Sequence, residues 1–146
     1  QQSDGRKVHL LTLCCNVQAL IDYICLPLVY LSFVKLINNM PNLTVQNLFD
    51  RQVEVAPGQT LLQAIQAEGI DWMHACGAKG RCTTCRIVVQ EGLEHFGPLT
   101  ESEERYRSRG RLQANERLTC QCTLVSGDAK GRVPRQTMLP HMKYSN

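Results

Sequence analysis

Three cysteines crowd into the ten-residue stretch Cys76-Gly77-Ala78-Lys79-Gly80-Arg81-Cys82-Thr83-Thr84-Cys85, spaced C-x5-C-x2-C. This spacing restricts the fold more than anything else in the chain, because one short loop must deliver three thiols to one place. A fourth can come from Cys120 or Cys122, with 34 residues lying between Cys85 and Cys120. Four thiolates hold either zinc or an iron–sulfur cluster, and the arrangement of the donors separates the two. Structural zinc is usually gripped by two short Cys-x-x-Cys knuckles, one on each side of a single ion. Here three donors share one loop and the fourth is distant, which suits a two-iron cluster, larger than one ion and wrapped by a loop. Gly77 and Gly80 let the backbone bend closely and aim N–H groups at sulfur. Lys79 and Arg81 add positive charge beside an anionic group.

Composition removes several function classes. The chain has 146 residues, 43% hydrophobic and 20% charged, which is ordinary for one globular domain and too short for two well-buried ones. A net charge of +3 is too small for a nucleic-acid binder. There are eight cysteines in a chain long enough to fold without disulfides, so clustered thiols point to metal. Neither G-x-G-x-x-G nor G-x-x-x-x-G-K-[ST] occurs, and no constellation of base and nucleophile marks an enzyme.

The chain changes character near residue 40. Residues 8–37 are mostly apolar, but the clean stretch Tyr23 to Val34 is 12 residues long and contains Pro27, whereas a membrane span needs about 20. Three readings of residues 1–39 follow: upstream sequence translated from a misplaced start, a membrane anchor, or a packed helix. Cys14, Cys15 and Cys25 fall in that run and read as core or lipid-facing thiols. From Met40 onward the pattern is α+β. Leu43, Val45 and Leu48 alternate as a strand, Val53 and Val55 alternate again before Pro57-Gly58, and the pair reads as a hairpin. Thr60 caps a helix through Leu61, Leu62, Ala64 and Ile65 that stops at Gly69. Arg86 to Gln90 is a third strand, and Thr100-Glu101-Ser102-Glu103 a capping box that opens a second helix. Leu118 to Val125 reads as a strand turned by Ser126-Gly127-Asp128, with Val133-Pro134 as an edge segment. On such a strand Cys120 and Cys122 share a face, so alternation cannot choose between them. This order of elements suggests a β-grasp: a small mixed sheet over one helix.

Residues 40–146, through Ala75-Cys76-Gly77-Ala78-Lys79-Gly80-Arg81-Cys82-Thr83-Thr84-Cys85 and Arg117-Leu118-Thr119-Cys120-Gln121-Cys122, resemble the 2Fe–2S ferredoxins of the adrenodoxin-like and bacterial C-x5-C-x2-C branch. The resemblance implies a β-grasp fold and one 2Fe–2S cluster per chain. It also implies that Cys76, Cys82, Cys85 and Cys120 are the ligands and leaves Cys122 as a small buried thiol. The implied role is a non-enzymatic one-electron carrier between a flavin-dependent ferredoxin reductase and a redox acceptor protein. The alternative is a zinc-stapled or cluster-sensing non-catalytic module. The expected state is a cytoplasmic monomer that binds no nucleic acid and touches membrane only if residues 1–39 form a true anchor. Two departures bear on the partner. Arg86 stands where adrenodoxin-like relatives have His, and a thinner acidic set of Glu91, Glu94, Glu101, Glu103 and Glu104 replaces an Asp-rich helix. Docking through these carboxylates competes with docking through Lys79, Arg81 and Arg86. Trp72 reads as core filling, His74 as a spacer, His95 and His141 as surface residues, and Arg105, Arg107, Arg109 and Arg111 as a basic face.

Overall fold

The computed structural model describes residues 40–145. The readings of residues 1–39, with Cys14, Cys15 and Cys25, lie outside the described residues. Five strands form one mixed sheet in the order β2-β1-β5-β3-β4. They are β1 (Asn42–Val45), β2 (Arg51–Glu54), β3 (Arg86–Glu91), β4 (Glu116–Leu118) and β5 (Asp128–Arg132). β1 and β2 pair antiparallel as the expected hairpin, although Leu48 sits in a 3-10 turn (Gln46–Leu48) and not in the strand. β1 and β5 run parallel, and β3 pairs antiparallel with both β5 and β4. With helix α1 (Leu61–Ala67) burying Leu61, Leu62, Ala64 and Ile65, this is the expected α+β β-grasp. Among the described residues no helix is long and apolar enough to cross a membrane.

Both helices begin on complete capping boxes. Thr60 accepts from the Gln63 N–H while the Gln63 side chain accepts from Thr60, and Thr100 and Glu103 do the same for α2 (Glu101–Ser108). Such a box satisfies two amide donors that a helix start otherwise leaves open. Two more donors of α1 are met from far along the chain. Leu62 N–H donates to the Thr119 carbonyl at 2.8 Å and Leu61 N–H to the Cys122 carbonyl at 3.1 Å.

Those two bonds explain one departure from the sequence reading. The segment expected as a strand from Leu118 to Val125 leaves the sheet after Leu118 and turns, Cys122 N–H closing onto the Leu118 carbonyl at 2.9 Å. Its carbonyls then serve the helix start in place of a strand ladder. Cys120 therefore stands in a turn, and the alternation argument about it and Cys122 does not apply. The second departure is β5. It was expected as a turn running into an edge segment at Val133-Pro134, yet Asp128–Arg132 is the central strand. Its inward positions are Ala129 and Gly131, both buried. A side chain on Gly131 would meet Ile87 Cδ1 at 2.8 Å and the Val88 carbonyl at 3.0 Å. Small residues are what this crowded position admits. Gly131→Ala is expected to lower stability by about 1–3 kcal/mol, the usual penalty of overpacking. Chemical denaturation checks it, and an unchanged midpoint would contradict the packing described.

Candidate metal centre

The thiol-bearing loop is held in shape before any ligand is considered. Gly77, Ala78 and Gly80 lie in the left-handed region at φ 66, 64 and 62°, conformations that curl the backbone inward. Gly77 N–H closes onto the His74 carbonyl at 2.9 Å. His74 Nδ1–H donates to the Trp72 carbonyl at 2.6 Å, which makes His74 the spacer it was expected to be. Thr84 Oγ1 accepts from the Ala75 N–H and contacts Cys82 Sγ, both at 3.0 Å, and so ties the two ends of the loop together.

The Cys85 carbonyl anchors the loop to the core. It accepts from the buried Trp72 indole at 3.0 Å and from the Thr119 hydroxyl at 2.8 Å. Trp72 is thus a core residue that also fixes the backbone at one thiol. The Thr119 bond brings the following turn alongside, and Cys120 Sγ lies 3.4 Å from Cys85 Sγ. Cys82 is near enough to Cys76 to help lower its thiol. The four thiols therefore stand as two pairs, the Cys85–Cys120 pair buried and the Cys76–Cys82 pair half-exposed. Among the described residues, no three Cys, His, Asp or Glu side chains are grouped as a single ion needs.

Electrostatics favours the anion at two of the sulfurs, Cys76 and Cys120. The Cys85 thiol donates to Cys120 and brings it down to about 6, helped against burial by the Gly80 backbone and by Gln121. The same contact, together with burial, pushes Cys85 well up. At Cys76 burial acts upward but is outweighed by hydrogen bonds from the Arg81 backbone, Cys82 and the Lys79 backbone. Donors already directed at sulfur are what a thiolate-held anionic group requires. Cys122 differs: it is 1% exposed, and burial pushes its thiol up.

The roles of Gln121 and Ser102 at this centre were not foreseen. Gln121 donates to Cys120 Sγ at 3.6 Å and reaches the Ala78 carbonyl at 3.5 Å, so it spans the turn and the loop. Gly80 is buried under Ser102, whose Oγ lies 2.6 Å from where a Gly80 Cβ would stand. The one available signal was a Gln set between two cysteines. The acidic set also divides. Glu103 is fully buried, while Glu101 and Glu104 are exposed. His141 is at the surface as expected, paired with Asp71 at 2.9 Å, and His95 is half-buried against Gly127.

A β-grasp sheet with thiols on a glycine-curled loop and a neighbouring turn is an arrangement that suits an iron–sulfur cluster. Residues 44–125 match the 2Fe–2S iron–sulfur cluster binding domain, and the chain belongs to that family. It is 35% identical over 86 residues to a 2Fe–2S ferredoxin of Pseudomonas aeruginosa, covering 58% of this chain and 77% of that one. The 2Fe–2S ferredoxin of Escherichia coli is 32% identical over 87 residues, covering 59% and 78% respectively. Among solved structures, an ISC-like 2Fe–2S ferredoxin from Pseudomonas putida superposes with a TM-score of 0.54 at 27% identity, over 71% of this chain and 98% of that one. Oxidised putidaredoxin gives 0.51 at 27% identity, over 66% and 96%. As a member of this family the chain carries one 2Fe–2S cluster and is an electron carrier, not an enzyme.

Proposed function

We propose that Cys76, Cys82, Cys85 and Cys120 hold the cluster, and that the chain passes single electrons from a flavin-dependent reductase to an acceptor enzyme. The observation that carries the ligand set is the 3.4 Å approach of Cys120 to Cys85 across 35 positions of sequence. The donors directed at Cys76 and Cys120 support it, and so does the pairing of the thiols, which matches two metal positions better than one. When bound, the cluster supplies a site that gains and loses one electron at low potential. The protein does the rest. Its thiolates bind, N–H groups from the loop backbone offset their charge, and the buried Cys85–Cys120 side keeps water away.

The test is composition and colour. Anaerobically purified full-length chain should contain about two iron and two sulfide and absorb in the visible. One zinc, no sulfide and no colour would favour a zinc-stapled module instead.

A further inference from the structure

The two thiol pairs differ in access. Cys85 and Cys120 are buried behind Trp72 and Thr119, whereas Cys76 and Cys82 are half-exposed at the outside of the loop. A redox partner gains its closest approach over the second pair. The surface it meets there is small and cationic. Ala75, Gly77 and Ala78 are exposed and carry almost no side chain, and the exposed Lys79 and Arg81 flank them. Neither cation enters any ion pair among the described residues. A third guanidinium is drawn to the rim, Arg105 donating to the Gly80 carbonyl at 3.2 Å.

Of the nearby carboxylates, Glu103 is buried and Glu104 is turned aside. Helix α2 directs Ser102 and Arg105 at the loop and Glu103 and Tyr106 into the core. At about 100° per residue, Glu104 then projects about 100° round the helix from Arg105, and Glu101, about 40° from it, sits on the flank of the stripe that faces the loop. Net charge does little steering. The chain carries +3 and an oxidised all-thiolate cluster about −2, so the local pattern decides the encounter.

We infer that the loop face Ala75–Arg81 is the docking surface for a redox protein whose contact face is rich in carboxylates. The inference rests on the ligand set proposed above. Small uncharged residues permit close approach, and flanking cations raise the on-rate without a large seal that would slow release.

The test uses the loaded full-length protein and one acceptor in two charge forms: a lysine-rich cytochrome c, and the same cytochrome after succinylation has turned its amines into carboxylates. Reduced protein is mixed with each by stopped flow. At an ionic strength near 0.01 M, where screening extends over about 30 Å, the succinylated form should be reduced several-fold faster. The advantage should vanish near 1 M salt, where the length falls to about 3 Å. Lys79→Glu with Arg81→Glu should reverse the order, and the Gln versions should erase it should the reversal harm the loop. Arg51→Glu on β2, at the opposite edge of the sheet, should leave it unchanged. Faster reduction of the lysine-rich form, or a preference indifferent to positions 79 and 81, overturns the assignment. The visible spectrum reports separately on the ligand set: a colourless chain defeats that reading, whereas a coloured chain with the wrong preference defeats this one.

Discussion

Cys120→Ser is expected to leave a chain that folds but retains almost no visible absorption, with iron well below the two per chain expected of the parent. Serine keeps the shape of the turn but removes the sulfur standing 3.4 Å from Cys85, and a hydroxyl is a poor ligand for iron held by thiolates. Cys122→Ser tests the alternative. That side chain is buried, so its hydroxyl loses water and the variant should be less stable by about 1–3 kcal/mol. It should nevertheless keep the spectrum. Iron content and absorbance of the two proteins, reconstituted side by side, decide the matter. Loss at 122 with retention at 120 would move the fourth ligand.

The second large effect concerns a pair remote from the loop in sequence. Glu103 is fully buried, and its carboxylate accepts from Arg117 Nε at 2.8 Å, Arg117 Nη2 at 3.2 Å, the Leu118 N–H at 3.0 Å and the Thr100 N–H at 3.0 Å. Arg117 also donates to the carbonyls of Gly97 and Pro98. One ion pair thus joins the start of α2 to β4, immediately before the turn that carries Cys120. Breaking a buried pair by removing one partner costs about 3–5 kcal/mol, because the other charge is left uncompensated. Arg117→Met should show that loss in denaturant unfolding. The double variant Glu103→Gln with Arg117→Met should recover part of it. An additive double variant would mean that the two side chains do not act together.

Acid should act in the same direction. Burial raises the Glu103 carboxyl, but Arg117 and the two backbone N–H groups outweigh it and hold it below the usual carboxylate range. A depressed carboxyl stabilises the fold above its unfolded value, and this contribution disappears as falling pH protonates the folded form. The gap in stability between parent and Glu103→Gln should therefore narrow in acid.

The parts of this molecule that were legible in the sequence are those whose residues announce their own local physics. Thr60 with Gln63 and Thr100 with Glu103 spell out both helix starts, and the loop spacing marks three thiols before any fold is known. What escaped depends on neighbours distant in the chain. Asp128-Ala129-Lys130-Gly131-Arg132 has none of the branched residues that mark strands, because Ile87 and the Val88 carbonyl crowd the space a larger side chain would need. Leu118 to Val125 has strand propensity and alternation, yet its carbonyls are claimed by Leu61 and Leu62 of a helix formed much earlier in the chain. Glu103 looked like one more surface acid because its partner Arg117 is 14 positions away.

The placement of β5 has a consequence for biosynthesis. The strand at the middle of the sheet is the last of the five to be translated, and β1 and β3 have no hydrogen-bonded neighbour between them until it arrives. With a ribosome adding about 5–20 residues per second, the loop cysteines precede β5 by about a few seconds. During that interval Cys76, Cys82 and Cys85 are newly made thiols with no completed sheet behind them. Their protection from oxidation then rests with the reductants around the nascent chain, and metal insertion has a completed sheet behind the loop only after synthesis has passed Arg132.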